Sequence, residues 1–331
     1  MAPAAAVINL PRLDPPHRAC YFPAVLICKT FEQLAALDRP LHLALGVFDG
    51  VHIGHQAVIE RAVRAAAAAG ELAGMLTFEP HPIRVIAPEK APKSLLATLD
   101  HKAEIVRELG IELFVPLHFD AAFAAMEASE FITQLTTASI RTLAVGEDWR
   151  FGRQRGGDVT LLRREAFARG FRLEAVPPVM IDGERVSSTR IRQAIRDGNF
   201  TAANLMLGRP YSLSGKVIEG RKLGRTLGFP TANLDTMDAQ LPPDGVWIVY
   251  AHLAGRTSLQ GIANLGIRPT VDGVSHLLEV HLLDFHEDLY AQTLEIQFEK
   301  FLRPEVKFES VEALKAQIQQ DAQSAKAFFQ I

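Results

Sequence analysis

The stretch Gly46-Val47-Phe48-Asp49-Gly50-Val51-His52-Ile53-Gly54-His55 joins an apolar run, Leu41 to Leu45, to an alanine-rich segment, Gln56 to Ala69. The run before it reads as a buried strand. The segment after it reads as a helix that Gly70 stops. A glycine-rich turn between a strand and a helix commits this part of the chain to strand–helix alternation. It also aims free backbone N–H groups and the positive end of the helix dipole at one point, which suits a phosphate. His52 and His55 flank Gly54 at that point, and the glycine lets a ligand approach the backbone closely. The imidazoles can donate to phosphate oxygens and offset charge that develops during phosphoryl or nucleotidyl transfer. The same His-x-x-His spacing occurs in zinc sites, but no Cys or His pair elsewhere has partner spacing. An ordinary structural turn rarely needs two histidines.

Apolar and helical runs alternate from about residue 41 to 185. Strands are expected at Leu41–Val47, Leu72–Phe78, Leu113–Leu117, Thr142–Val145 and Phe171–Val176. Helices are expected between them at Gln56–Ala69, Leu99–Leu109, Phe123–Thr136 and Leu161–Ala168. This order implies an α/β, doubly wound parallel sheet, with ligands at the carboxyl ends of its strands; its His-x-Gly-His turn resembles the signature of nucleotidyltransferase-like Rossmann domains. Two short helices are expected in Thr189–Leu207, joined at Asp197-Gly198-Asn199.

Beyond residue 210 the texture changes. Short alternating or β-branched runs recur at Tyr211–Ile218, Val246–Leu253, Ser258–Ala263, Leu277–Leu283 and Thr293–Phe298, separated by Gly, Pro and Asp. They read as an antiparallel β-barrel or sandwich. A terminal helix, Val311 to Phe329, is capped by Ser310. The expected division is therefore residues 1–208 and residues 209–331, close to Arg209-Pro210.

Bulk properties narrow the function classes. A chain of 331 residues with 48% hydrophobic and 22% charged residues is an ordinary globular one. A formal net charge of -3 argues against a general nucleic-acid binder, which is usually basic. No apolar run reaches membrane-spanning length. Met1 to Val7 is apolar but lacks a basic start, and prolines at 3, 11, 15 and 16 break up the N-terminal segment, so no signal peptide is expected. The two cysteines, Cys20 and Cys28, stand in no metal or redox motif, which fits a cytoplasmic protein.

Further candidate chemistry lies at predicted strand ends. Phe78-Glu79-Pro80-His81-Pro82 is a proline-stiffened loop whose His81 is placed to face the same crevice, or else a rigid connector. In Val145-Gly146-Glu147-Asp148-Trp149-Arg150-Phe151-Gly152, Asp148 can accept from a ribose or base, while Trp149 and Phe151 can stack on a ring. A solvated basic loop is the plainer reading there. Ser187-Ser188-Thr189-Arg190-Ile191-Arg192 brings hydroxyls and arginines to a helix start, which fits an anion site better than a cap alone. In the second half, Gly215-Lys216 lacks the rest of a Walker A loop. Gly224-Arg225-Thr226-Leu227-Gly228-Phe229-Pro230-Thr231-Ala232-Asn233 is more informative. Thr231 and Asn233 are hard oxygen donors two residues apart, so an extended chain points both the same way, as Mg²⁺ beside phosphates requires. Glu279 shares a face with Leu277, His281 and Leu283, a mixed set, and could serve as a general base.

Taken together, these motifs resemble the bifunctional bacterial riboflavin kinase/FAD synthetase family, in the family's order and from about residue 25 onward. The Gly-Ile-Ala-Asn-Leu-Gly-Ile-Arg-Pro-Thr stretch, 261–270, and 279–285 add to the match. The resemblance implies an FMN adenylyltransferase half and a riboflavin kinase half, with ATP, riboflavin, FMN and FAD as substrates and products and Mg²⁺ as cofactor. His52 and His55 would hold the ATP phosphates. Gly46, Phe48, Asp49, Gly54, Asp148, Ser188, Thr189 and Arg192 would shape the nucleotide site, and Phe78, His81, Trp149 and Phe151 are flavin-binding candidates. In the kinase half, Gly215, Gly224, Gly228 and Thr231 would bind phosphate, Thr231 and Asn233 would hold Mg²⁺, and Glu279 would be the base. No nucleic-acid or membrane partner is implied, and at most a weak homo-oligomer. Trp247, Glu287 and Ala291 depart from the family's usual Tyr, Gly and Gly. One alternative is an adenylyltransferase whose degenerate kinase half only binds flavin. Another, in a different class, is a non-catalytic nucleotide sensor, which the complete motif sets disfavour.

Overall fold

Leu41–Leu45 is buried along its whole length, as a strand covered by helices on both faces must be. The computed structural model describes residues 25–331 apart from 221–223, 225–226, 254–257 and 271–272. Cys20, the N-terminal prolines and Arg225-Thr226 lie outside the described residues.

The first half is a parallel sheet of strands β1 (Leu26–Ile27), β2 (Leu41–Leu45), β3 (Leu72–Glu79), β4 (Leu113–His118), β5 (Ile140–Gly146) and β6 (Arg172–Val176). Their order is β1-β4-β3-β2-β5-β6, so the winding reverses between β2 and β5. That reversal opens a crevice at the carboxyl end of β2, where the histidine-bearing turn begins. The helix after the turn runs from Ile53 to Ala69 and ends at Gly70 in the left-handed conformation. A small hairpin, β7 (Met180–Ile181) and β8 (Glu184–Arg185), precedes the connecting helices Ser188–Arg196 and Phe200–Leu207.

The second half is a closed antiparallel barrel of β9 (Ser212–Ile218), β10 (Ala232–Asp235), β11 (Gly245–Leu253), β12 (Leu259–Thr270), β13 (Gly273–Leu282) and β14 (Thr293–Arg303). Its order is β10-β13-β12-β11-β14-β9. The terminal helix, Val311–Phe329, is capped by the Ser310 hydroxyl, which accepts from the Ala313 N–H (3.1 Å). Alternation along β11 sends Trp247 and Val249 into the barrel core, and Val246 and Ile248 outward against Ala322 and Ala325 of that helix.

The fold differs from the sequence expectation in detail. The segment expected as one helix over Phe123–Thr136 is two, Ala121–Ala124 and Ala128–Leu135, each with its own start. Asp120 caps the first through its side chain, and Glu127 starts the second in an extended conformation. β1, β10 and the β7–β8 hairpin are too short for periodicity to reveal.

One hydrophobic core joins the halves. Ile53, Leu96, Ile191, Ile195 and Leu207 of the first half pack with Tyr211, Leu213, Trp247 and Phe298 of the barrel region. Fully buried Tyr211 donates its hydroxyl to the Gln240 carbonyl. Tyr211→Phe is therefore expected to lower stability by about 1–3 kcal/mol, because a buried carbonyl loses its donor. Thermal unfolding of the two proteins checks this.

Candidate active sites

The turn after β2 is strained and pinned. Phe48 (φ 52°) and Val51 (φ 43°) sit in the left-handed region, which side-chain-bearing residues enter at a cost of about 1–3 kcal/mol each. Gly50 (φ 78°) lies so close to Leu96 that an added Cβ would stand 2.7 Å from that side chain. Such a backbone persists only if its surroundings hold it. Asp49 is buried and forms an ion pair with Arg192, itself buried. Asp49 Oδ1 also accepts from the Leu96 N–H (2.9 Å), and its carbonyl accepts from Ser188 Oγ (3.0 Å). The carbonyls along the turn are taken as well. Lys102 Nζ donates to Val47 (3.0 Å), Gln56 Nε2 to Val51 (2.9 Å) and Arg209 to Gly50 (3.0 Å). With these carbonyls held, the turn sets the two imidazoles at the start of the helix.

His52 caps the helix: its Nδ1 accepts from the His55 N–H (3.3 Å). An accepting Nδ1 places the ring proton on Nε2, so a neutral His52 is a hydrogen-bond donor there. The His52 and His55 rings stack with centroids 3.6 Å apart. Burial, then the Arg185 guanidinium, pushes His52 down to about 4. His55 lies well below its ordinary value, through burial and then the neighbouring His52. Phe48 is buried under the pair, its ring edge-on to His55 at 5.3 Å. Gly54 lies against the His52 ring, where an added Cβ would come within 3.2 Å, and Gly46 packs on the Phe48 ring.

Two other strand-end loops border the crevice. His81, after β3, caps the Pro82–Ile86 helix by accepting from the Ile83 N–H (3.3 Å). Burial, opposed by Asp49, lowers its pKa. After β5, exposed Asp148 pairs with Arg185 of the hairpin. Trp149 and Phe151 stack on each other (4.5 Å), and Phe151 is buried. Phe78 is buried against Phe119 and Phe123. These rings form one aromatic cluster beside the crevice. Ser188 holds the turn, whereas Thr189, in the first turn of the helix, makes no such contact with it.

The second site is outside the barrel wall, under the terminal helix. A cavity of about 410 Å³ is lined by Gly224, Phe229, Thr231, Asn264, Glu279, His281 and Arg303, among others. Cross-strand register sets Asn233, Glu279 and Asn264 side by side on β10, β13 and β12. Asn233 is buried and its Oδ1 has no hydrogen-bond partner. Gly220 abuts that amide so closely that any side chain there would overlap it. His281 Nδ1 donates to the Pro230 carbonyl (2.9 Å), holding the segment that carries Thr231. Arg303 closes the far wall with two bonds to Asp321 of the terminal helix, 3.0 Å through Nε to Oδ1 and 2.7 Å through Nη2 to Oδ2. Gly215 lies in β9, where an added Cβ would meet the Asp235 carbonyl, and Gly228 takes φ 88° in the loop before Thr231.

Comparison with known proteins separates the same two parts. The family model for FAD synthetase matches residues 35–190, and that for riboflavin kinase matches residues 207–329. The bifunctional riboflavin kinase/FMN adenylyltransferase of Escherichia coli K12 is 40% identical over 289 residues, covering 87% of this chain and 92% of that one. The protein of the same name from Bacillus subtilis is 34% identical over 292 residues, with the same coverage. The chain belongs to the bifunctional riboflavin kinase/FMN adenylyltransferase family. A crystal structure described as a macrolide-efflux protein from Streptococcus pneumoniae shares the fold, with a TM-score of 0.76 and 29% identity over 92% of this chain and 99% of that chain.

Within this family the departures are local. Trp247 faces the barrel core, where its Nε1 donates to the Pro243 carbonyl (3.1 Å) and its ring meets Phe200 edge-on. Ala291 adopts φ 62°, the conformation that the usual glycine would enter freely. Sequence reading missed Lys102, Gln56 and Arg209. Only Lys102 carried a signal, a lysine on the buried stripe of its helix with Ile105 and Val106.

The depressed His52 gives a pH prediction. An unfolded His52 titrates near 6.5 and the folded one near 4. As pH falls below 6.5 the unfolded chain takes up the proton first, so stability is lost, by about 2 kcal/mol at pH 5 for this group. Denaturation of wild type and His52→Gln at pH 7 and pH 5 is expected to show a smaller acid loss in the variant.

Proposed function

We propose that the chain phosphorylates riboflavin to FMN in its second half and adenylylates FMN to FAD in its first, with the division near residues 208 and 209. Both activities are those of the family. The assignment of residues to them rests on geometry.

For adenylyl transfer, the supporting observation is the pair of stacked, neutral imidazoles at a helix N-terminus, at the carboxyl end of β2. A phosphate oxygen of FMN attacks the α-phosphorus of ATP, and the bond to pyrophosphate breaks. His52 Nε2–H and His55 donate to the phosphate oxygens as charge builds on them. The helix dipole and the cations around the turn favour the same charge. Asp49 and Arg192 act through the turn they fix, while Thr189, Asp148 and Arg185 stand at the open edge, where a nucleotide enters. Phe78, Trp149 and Phe151 support the flavin side of the crevice.

For phosphoryl transfer, the supporting observation is Glu279 and Asn264 side by side in the wall of a cavity of flavin size, with Asn233 beside Glu279 in strand register. Glu279 takes the proton of the ribityl 5′-hydroxyl, whose oxygen attacks the γ-phosphorus of ATP, and ADP leaves. The orphaned Oδ1 of Asn233 and the Thr231 hydroxyl are hard donors that fit Mg²⁺. When bound there, Mg²⁺ supplies charge neutralisation of the phosphates. Gly224 and Gly228 leave room for the loop to approach them. A core position for Trp247 and a glycine-like backbone at Ala291 support this reading over a barrel that only binds flavin. A cytoplasmic location and the lack of membrane and nucleic-acid partners belong to the same reading. Among the described residues no helix is long and apolar enough to cross a membrane.

His55→Ala is expected to lower FAD formation by about a hundredfold or more while FMN formation continues. Glu279→Gln is expected to do the reverse, by about two orders of magnitude. Separate assays, from riboflavin and from FMN, check both; loss of both activities in either folded variant would contradict separate sites. Asn233→Ala is expected to raise the Mg²⁺ concentration needed by the kinase step alone, as a metal titration of each step will show.

A further inference from the structure

One short turn of the barrel reaches the segment behind the histidine-bearing turn and the helix that His81 caps. After β10 the chain passes through Thr236 to Gln240. The Leu95 N–H donates to the Asp238 carbonyl (2.8 Å), and the Gln240 N–H donates to the Leu95 carbonyl (2.7 Å). Leu95 and Ala239 thus form a parallel bridge between the two halves. The Ser94 hydroxyl donates to Gln240 Oε1 (2.6 Å). Asp238 also pairs with Arg84, in the helix that His81 caps.

The other side of the same short segment grips the histidine-bearing turn. The Leu96 N–H bonds Asp49, and the Ser94 carbonyl accepts from Arg192 Nε (2.8 Å). The buried Asp49–Arg192 pair is therefore attached at both members to a segment that lies in no helix or strand of its own half. Its regular backbone partner is the barrel turn.

We propose that the Asp238–Gln240 turn of the kinase half is a positioning element for adenylyl transfer. It sets Ser94–Leu96, and through them Asp49, Arg192 and the turn that carries His52 and His55. The inference rests on the assignment of adenylyl transfer to that turn. Asp238 and Gln240 act through other residues, so their loss changes alignment at the reacting atoms more than nucleotide affinity. Small misplacements of such groups cost large factors in rate.

The test uses the full-length chain. Gln240→Leu removes the acceptor of the Ser94 hydroxyl at similar volume, Gln240→Glu keeps an acceptor, and Asp238→Asn removes the charge facing Arg84. Gln240→Leu with Asp238→Asn is expected to lower kcat for FMN adenylylation about tenfold or more. KM for ATP and the rate of riboflavin phosphorylation are expected to move less than about twofold, and Gln240→Glu alone to keep near-normal adenylylation. Adenylylation within about twofold of wild type, or a parallel fall of both activities, would overturn the proposal. If the double variant does not fold, Asp238→Asn alone, at a partly exposed side chain, is judged by the same criteria with an expected loss of about threefold or more. His55→Ala is measured alongside. If it stays active, the assignment of the turn fails and the inference with it. If it is inactive while the 238/240 variants are active, the positioning role alone fails.

Discussion

The buried ion pair between Asp49 and Arg192 is the contact on which the first site depends. Two charges out of water are costly unless their remaining hydrogen-bonding capacity is met. The Leu96 N–H and the Ser94 carbonyl meet part of it. The pair also crosses the fold, from the turn after β2 to the connecting helix Ser188–Arg196. It thereby holds a backbone that carries Phe48 and Val51 in an unfavourable conformation. Breaking one partner would leave an unpaired buried charge and release that strain together.

The consequence is chemical. Lys102 and Arg209 donate to carbonyls of the turn and Arg192 pairs with Asp49, so positive charge is held beside the crevice. Burial, with the positive charge nearby, keeps His52 and His55 neutral. A neutral imidazole whose Nδ1 caps the helix can present only its Nε2–H, which fixes the direction of donation. The barrel solves a different problem. Its closed interior is filled with apolar side chains, and its polar cavity lies on the outer wall, where the terminal helix and the loop before β10 complete it.

Much of this was legible in the chain. The parallel sheet followed from alternation of buried strands with helices, and the crevice from the glycine-rich turn after Leu45. Thr231, Asn233 and Glu279 stood out as candidates by type and spacing, and strand register sets Asn233 beside Glu279. The short strands β1 and β10 were not, because four residues or fewer carry no readable period. The Phe123–Thr136 segment misled because apolar spacing continues across Ala125–Glu127, while the backbone restarts at Glu127. Arg209 was unreadable as part of the site, since a long basic side chain reads as solvated unless its neighbours are known, whereas Lys102 was marked only by its place on the buried stripe of its helix.

By itself, the sequence determined the two architectures, their order, the glycine-rich turn with its two histidines and the residue types available at each candidate site. These are local properties, set by periodicity, capping and donor chemistry within a few residues. Tertiary structure decided which of those residues line the crevice and the cavity and which hold others in place. Asp49, Arg192 and Ser188 hold the turn because residues more than a hundred positions apart meet there. Asn233, Glu279 and Asn264 became neighbours only when strand register was fixed. The contact of Leu95 with Ala239 joins the halves for the same reason: sequence distance sets no contact, and packing does.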